Sequence, residues 1–343
     1  GLRGHGRTSC RNQSGIYGKK FKMEILQKID EGGYPVEYLL SRIRGRRVSL
    51  VTDWEPLVFS APPFEQPSSL SQRWAMDDIS SAGVWKHLQR EFRWVYSQMD
   101  GNLKKLFRPF FIYTELRTLF FCFRYKTEKE NAKIDKMLNQ SLLSRQCKDI
   151  LRESEDIRGC IDEMEDLFIS LSPKFNGMRG IFAKKGLRGI EQHLTEQYLE
   201  HVMESDTHPI IRDFFGRIID ARNIISLYKN LRWELKNEPD FTRGGTIGPE
   251  KTRRIWEKND LFGVLSLIRL FTGTEVQKPD ATSVETSLYK AITRFLKREG
   301  REPSGIGLIL DYLWRCTIEA RNLSVLFHGR DLDRDIVREE IIR

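Results

Sequence analysis

Apolar residues along the chain recur mostly at intervals of three and four, and strict alternation of apolar and polar positions is scarce. The first spacing is that of an amphipathic helix and the second that of a half-buried strand. The pattern therefore predicts an all-α fold. The predicted helices cover Tyr34–Val48, Val84–Gln98, Phe110–Glu130, Ala132–Leu171, Gly189–Glu204, Pro209–Lys236, Lys251–Phe271, Val284–Glu299 and Gly307–Gly329.

Three stretches are predicted to interrupt the helices. Prolines and serines between Pro56 and Ser71 indicate an irregular connection, because proline lacks the amide hydrogen that a helix requires. Residues 172–189 and 237–249 form the second and third breaks. The sequence DLDRD from Asp331 lacks the glycine and the final glutamate of a calcium loop, so we expect an exposed, charged tail there.

The chain resembles itself at three places that lie about a hundred residues apart. The three segments read FFIYTELRTLFFCFR, FGRIIDARNIISLYKNLR and WRCTIEARNLSVLFHGR. Each contains an acid, an arginine two positions later, and apolar residues four, seven and eight positions after the acid. The repeated polar residues are Glu115 and Arg117 in the first copy, Asp220, Arg222 and Asn223 in the second, and Glu319, Arg321 and Asn322 in the third.

This repetition predicts three pseudo-equivalent helical bundles, at residues 34–135, 136–240 and 241–343, after an N-terminal extension at 1–33 that need not be native. At 100° per residue the acid lies on the same side of its helix as the apolar positions, so it should be partly buried. A buried carboxylate needs a partner, which could be an arginine, a capping amide or a neighbouring repeat. Regular repetition favours this structural role over acid or base catalysis.

The chain carries 57 Lys and Arg against 48 Asp and Glu, a net charge of +9, with acids interleaved almost everywhere. This mild excess does not by itself favour nucleic acid as a partner. The densest basic run is RIRGRR, which contains Arg42, Arg44, Arg46 and Arg47. Binding to phosphate or a lipid surface, pairing with an acidic protein and plain solvated charge all remain open for this run.

Motifs that carry chemistry are missing from the sequence. The five cysteines form no CxxC pair, which favours a reducing cytoplasm, and the six histidines form no HExxH pair. The glycines at residues 244–248 lack the spacing of a phosphate-binding loop. No stretch approaches 18 consecutive apolar residues. We therefore expect no catalytic residues, no cofactor, no metal site and no membrane span.

Several motifs together resemble the C subunit of archaeal and bacterial V/A-type ATPases, which belongs to the same family as the vacuolar ATPase d subunit. They are the acid-Ala-Arg-Asn sequences at Asp220 and Glu319, the glycine pair Gly244 and Gly245, the segment YLLSRIRG from Tyr38, and the closing helix that ends at Arg330. The likeness extends from about residue 34 to the C terminus.

The resemblance implies a funnel of three helical bodies that acts as a non-catalytic rotor adaptor. Such an adaptor links the central stalk to the membrane proteolipid ring and transmits torque for ATP-coupled proton or sodium transport. It would be peripheral on the cytoplasmic face of the cell membrane, monomeric within its complex, and would bind no nucleotide or nucleic acid. The alternative is a helical nucleic-acid-binding or scaffold protein that uses its basic patches, including Arg42–Arg47.

Overall fold

The computed structural model describes residues 24–29, 34–59, 81–276, 279–302 and 305–343. Over these ranges the chain forms fourteen α-helices and a short 3-10 helix at Pro173–Phe175, so the all-α prediction is confirmed. The helices are α1 (Val36–Arg47), α2 (Glu55–Phe59), α3 (Ser81–Gln98), α4 (Gly101–Thr127), α5 (Asn131–Leu138), α6 (Arg145–Glu153), α7 (Ile157–Leu171), α8 (Met178–Glu204), α9 (Pro209–Arg232), α10 (Pro249–Glu257), α11 (Leu261–Thr272), α12 (Ala281–Glu299), α13 (Ile306–His328) and α14 (Arg334–Glu340). The predicted proline-rich connection is helical at Pro56, and its part at residues 60–80 lies outside the described residues.

Two long predicted helices are wrong, because capping residues divide them. The segment Ala132–Leu171 forms α5, α6 and α7, and Lys251–Phe271 forms α10 and α11. Ser144, Asp156 and Asp260 each accept a hydrogen bond from the backbone N–H three residues ahead, which starts a new helix at each point. The apolar spacing continues across these caps, so periodicity alone could not reveal them.

The other breaks also differ from the prediction. Helix α8 begins at Met178, inside the stretch expected to be irregular, and Gly186 with φ of 62° interrupts its helical geometry. The charged stretch from Asp331 is exposed at Asp331 and Asp333, as expected, but it is not a tail. Residues after Asp333 form α14, and Val337, Ile341 and Ile342 are buried because they pack into the core.

The repeated motif lies on α4, α9 and α13, which we call the repeat helices. Each is preceded in the chain by a flanking helix, which is α3, α8 or α12 respectively. Helix α4 packs on α8, α9 packs on α12, and α13 packs on α3, so the last repeat helix returns to the first flanking helix. The apolar positions four and seven residues after each acid are buried in all three copies. The predicted domain limit between residues 135 and 136 lies inside α5, and the three-unit funnel stays a prediction.

Part of the predicted N-terminal extension belongs to the folded body. The Ser144 N–H donates to the Ile25 carbonyl at 2.7 Å, and the Gln27 N–H donates to the Leu142 carbonyl at 2.8 Å. Ile25 and Leu26 are buried. Residues 24–29 therefore add a short extended segment to the core beside the start of α6.

The most apolar stretch of the sequence, Phe107–Phe123, lies within α4, where Arg108, Glu115 and Arg117 interrupt it. Along the described parts of the chain, no helix is both long enough and apolar enough to cross a membrane. Phe107 and Phe123 are instead buried within the protein core.

The turn at residues 300–302, which ends α12, lies beside the start of α13 and gives a test of this packing. A Cβ added at Gly307 would lie 2.2 Å from the main-chain oxygen of Glu299, which cannot move without shifting the backbone. Gly307→Ala should therefore lower the free energy of unfolding by about 1–3 kcal/mol in a denaturant titration. Gly180→Ala is the matched control, because a Cβ on this exposed residue of α8 meets nothing within 4 Å. The control should be neutral or stabilising, and equal losses in the two variants would contradict the described turn.

Candidate functional site

The acids of the first two copies accept hydrogen bonds from a non-helical segment that comes later in the chain than their own helix. Glu115 accepts hydrogen bonds from the Ser141 hydroxyl at 2.8 Å and the Leu142 N–H at 2.7 Å. Asp220 accepts from the Thr246 N–H at 3.0 Å and the Ile247 N–H at 2.9 Å. In both copies the donors lie 26 and 27 residues after the acid. We call residues 141–144 and 242–247 the first and second straps.

The acid of the third copy binds a segment from the opposite end of the chain. Glu319 accepts a hydrogen bond from the Val51 N–H at 2.9 Å, across 268 positions of sequence. The neighbouring Asn322 pairs instead with Ile342, close to the C terminus. The third strap is therefore composite, and we define it as residues 341–343 together with residues 49–51.

The asparagine three positions after the acid also forms hydrogen bonds with a strap. The Asn223 amide donates to the Thr242 carbonyl at 2.8 Å and accepts from the Thr242 N–H at 3.0 Å. Asn322 makes the same pair of bonds to Ile342, at 2.8 and 3.0 Å. The first copy has Thr118 at this position, and its hydroxyl accepts from the Gln89 side chain at 3.1 Å. Two of the three copies thus hold their strap at two points.

Burial opposes the charge on these acids. It raises the pKa of the Glu115 carboxyl above its ordinary value, and the hydrogen bonds from Leu142 and Ser141 act against that rise. Burial also raises the pKa of Asp220, and the bonds from Thr246 and Ile247 oppose it. The strap donors thus offset part of the cost of removing each carboxyl group from water.

The arginines two positions after each acid lie on another side of the repeat helices. Burial raises the pKa of the Tyr289 hydroxyl to about 12, and the nearby charges of Arg321 and Arg222 act against that rise. Arg117 also interacts electrostatically with Tyr289. The structure therefore brings the three repeated arginines, from three helices, around one tyrosine of α12.

These arginines have different individual partners. The Arg117 guanidinium lies 4.5 Å from the centre of the Trp85 ring, and Arg321 donates to the main-chain oxygen of Glu340 at 3.0 Å. The Arg222 Nε atom is shielded from solvent and has no acceptor among the described residues. Arg321 also lies 4.0 Å from the carboxylate of Glu285 on α12, so the three arginines differ in how they are paired.

A second set of repeated bases occupies the position nine residues after each acid, which the sequence analysis missed. These residues are Arg124, Lys229 and His328. These bases stand seven positions after the repeated arginines, and seven residues are close to two helical turns. The bases and the arginines therefore lie on the same side of each repeat helix. Their equal spacing from the acids in the three repeated segments is the signal in the sequence that indicates them.

The basic run in α1 is only partly exposed. Arg46 donates to both carboxylate oxygens of Glu91, at 3.0 and 2.8 Å, and Arg47 lies 2.9 Å from the buried carboxylate of Asp311. These two arginines tie α1 to α3 and α13. Arg42 and Arg44 are exposed, with Arg42 donating to the Tyr38 hydroxyl at 2.7 Å. Partner contact stays a prediction for Arg42 and Arg44, whereas Arg46 and Arg47 have internal partners.

The structural role of the repeated acids can be tested on Asp220. Asp220→Ala would leave the N–H groups of Thr246 and Ile247 without their acceptor, so we expect the free energy of unfolding to fall by about 2–4 kcal/mol. Asp213→Ala on the exposed side of the same helix is the control and should change stability by less than about 0.5 kcal/mol. Equal effects of the two substitutions, measured by denaturant unfolding, would exclude a structural role for the acid.

Comparison with known proteins agrees with this geometry. The family model described as "ATP synthase (C/AC39) subunit" matches residues 78–340, which include all three repeat helices. A search of curated proteins finds no match. Since the family match covers most of the chain, the chain belongs to the ATP synthase (C/AC39) subunit family of the V/A-type ATPases, which its repeated motifs resemble.

Proposed function

We propose that this chain is the non-catalytic rotor adaptor of a V/A-type ATPase. It would join the central-stalk subunits to the membrane proteolipid ring and transmit torque for ATP-coupled proton or sodium transport. Membership of the family supports a place in such a complex. The geometry of the repeat helices supports the adaptor role.

The observation that carries the proposal is a gradient of burial along the repeat helices. The aromatic residue five positions before each acid is buried, namely Phe110, Phe215 and Trp314. Phe214 lies 6.0 Å from Phe110 and 5.6 Å from Trp314, measured between ring centres, so the three helices meet at this level.

Two helical turns beyond the arginines, the same side of each helix is open. Arg124 and His328 are exposed there, and Lys229 is half-buried. We propose that the three repeat helices, which meet at one end and expose the same side at the other, enclose a space that widens, as in the predicted funnel. The basic residues along its wall suit an acidic partner, and we propose that the central stalk occupies this space.

Torque transmission requires that the adaptor resist twisting between its two partners. The straps supply this resistance, because each is held by a hydrogen bond to a buried acid, and breaking that bond would leave a buried acceptor and an amide unsatisfied. The N-terminal helix adds the two ion pairs made by Arg46 and Arg47 across α3 and α13. We therefore propose that the protein turns as one rigid body, peripheral to the membrane and monomeric within its complex.

The nucleic-acid alternative has less support. Two of the four arginines in the basic run form ion pairs with Glu91 and Asp311. The run therefore does not present a continuous basic stripe that could bind phosphates. The same assay that tests stalk binding can include a duplex and a single-stranded RNA. Tight, salt-dependent binding to either would favour the alternative.

Binding to the purified central-stalk protein of the same organism tests the proposal. We expect the full chain to bind it, with affinity that falls as the salt concentration rises from 50 to 500 mM, because charge complementarity drives docking. Arg222→Gln should weaken binding about tenfold, since Arg222 is held on the inner wall with its Nε lacking an acceptor among the described residues.

The control for this variant is Arg254→Gln, which removes an exposed arginine from α10 and should leave the affinity within about twofold. If the unmodified chain binds neither the stalk protein nor an isolated proteolipid ring, the adaptor proposal is wrong. If both substitutions weaken binding equally, the stalk does not use the inner wall.

A further inference from the structure

Two of the three contacts between a repeat helix and the next flanking helix contain the same ion pair. Arg124 of α4 donates to both oxygens of Glu191 on α8, at 2.9 and 2.7 Å. Lys229 of α9 lies 4.0 Å from Glu285 on α12. Both bases stand nine positions after the repeated acid. Each glutamate directly follows a buried aliphatic residue of its flanking helix, which is Ile190 before Glu191 and Val284 before Glu285. The pairs are therefore equivalent.

The third contact, between α13 and α3, lacks the acid. Its base is His328, again nine positions after the repeated acid, but the position that corresponds to Glu191 and Glu285 is Trp85. Trp85 directly follows Val84, which is buried at the start of α3. At this contact the flanking helix therefore does not supply the carboxylate that it supplies at the other two.

A cavity of about 510 Å³ lies where the acid is missing. Its wall includes Trp85, Arg117, Phe121, Arg321 and His328. The Arg117 guanidinium lies 4.5 Å from the Trp85 ring centre, which is a cation–π contact. Two arginines and a histidine therefore line one cavity together with aromatic surface.

On this wall, Arg321 already lies 4.0 Å from the carboxylate of Glu285, whereas Arg117 and His328 form no ion pair among the described residues. Glu340 lines the cavity, and its main-chain oxygen accepts from Arg321, but its carboxylate forms no ion pair within the described residues. The Trp85 indole N–H is shielded from solvent and has no acceptor in the part of the chain that the structure describes. A buried donor of this kind is costly unless something accepts its hydrogen bond.

We propose that this cavity binds an acidic side chain of the central-stalk protein, whose carboxylate takes the place that Glu191 and Glu285 occupy at the two equivalent contacts. This inference rests on the proposed function. The ligand is a protein carboxylate flanked by apolar residues, because Val84, Phe121 and Val325 on the wall would be left uncovered by a small hydrated anion. Docking would complete the third ion pair and stabilise the contact between α13 and α3.

The test supplies the missing carboxylate from within the protein. Trp85→Glu places an acid at the position of Glu191 and Glu285, and Trp85→Gln removes the same ring without adding charge. We expect Trp85→Glu to bind the stalk protein at least about tenfold more weakly than Trp85→Gln at low salt, because the internal carboxylate competes for the same cations. Equal affinities of the two variants would overturn the proposal.

A second measurement needs no partner. In 20 mM salt, the Trp85→Glu variant should melt about 2–4 °C above Trp85→Gln, since it satisfies the cations of the cavity wall, and this gap should close in 0.5 M salt. A melting temperature of Trp85→Glu equal to or below that of Trp85→Gln would show that the cavity does not attract a carboxylate. If the unmodified chain fails to bind the stalk while the melting gap appears, the adaptor function fails but the carboxylate site stands.

Discussion

Three buried carboxylates, each bound to the backbone of a non-helical strap, fix the position of much of this fold. Leu142, Ile247 and Val51 donate their N–H groups to these acids, and a helix begins within four residues of each donor. Each acid therefore fixes the backbone a few residues before a helix starts, at α6, α10 and α2 respectively. A hydrogen-bonded carboxylate in the interior suits this task, because breaking the contact leaves both an unpaired charge and unpaired amides.

The closing contact of the fold depends on both ends of the chain. Residues 341–343 supply the partner of Asn322, and residues 49–51 supply the partner of Glu319. Helix α1 then ties the same region to α3 and α13 through Arg46 and Arg47. This contact joins the last repeat helix to the first flanking helix, so non-covalent contacts between distant parts of the chain hold it together. It is also the contact that contains the cavity beside Trp85.

Local sequence predicted the class of fold and the burial of the repeated acids, since both depend on spacing along one helix. It did not determine whether each acid pairs with an arginine, a capping amide or a neighbouring repeat, because tertiary packing decides which group lies beside the acid. The bond from Val51 to Glu319 joins residues 268 positions apart, and no local pattern encodes such a pairing. The two divided helices had a local signal at Asp156 and Asp260, but it was weaker than the apolar spacing that runs through them.

Closure of the fold rests on the third carboxylate, which holds a strap made from both ends of the chain. Native-state hydrogen exchange at the Val51 amide tests this claim most directly. We expect strong protection of Val51 in the unmodified chain, comparable to that of Ile247, and loss of protection at Val51 but not at Ile247 in Glu319→Ala. Rapid exchange of Val51 in the unmodified chain, or unchanged protection in the variant, would contradict this role of Glu319.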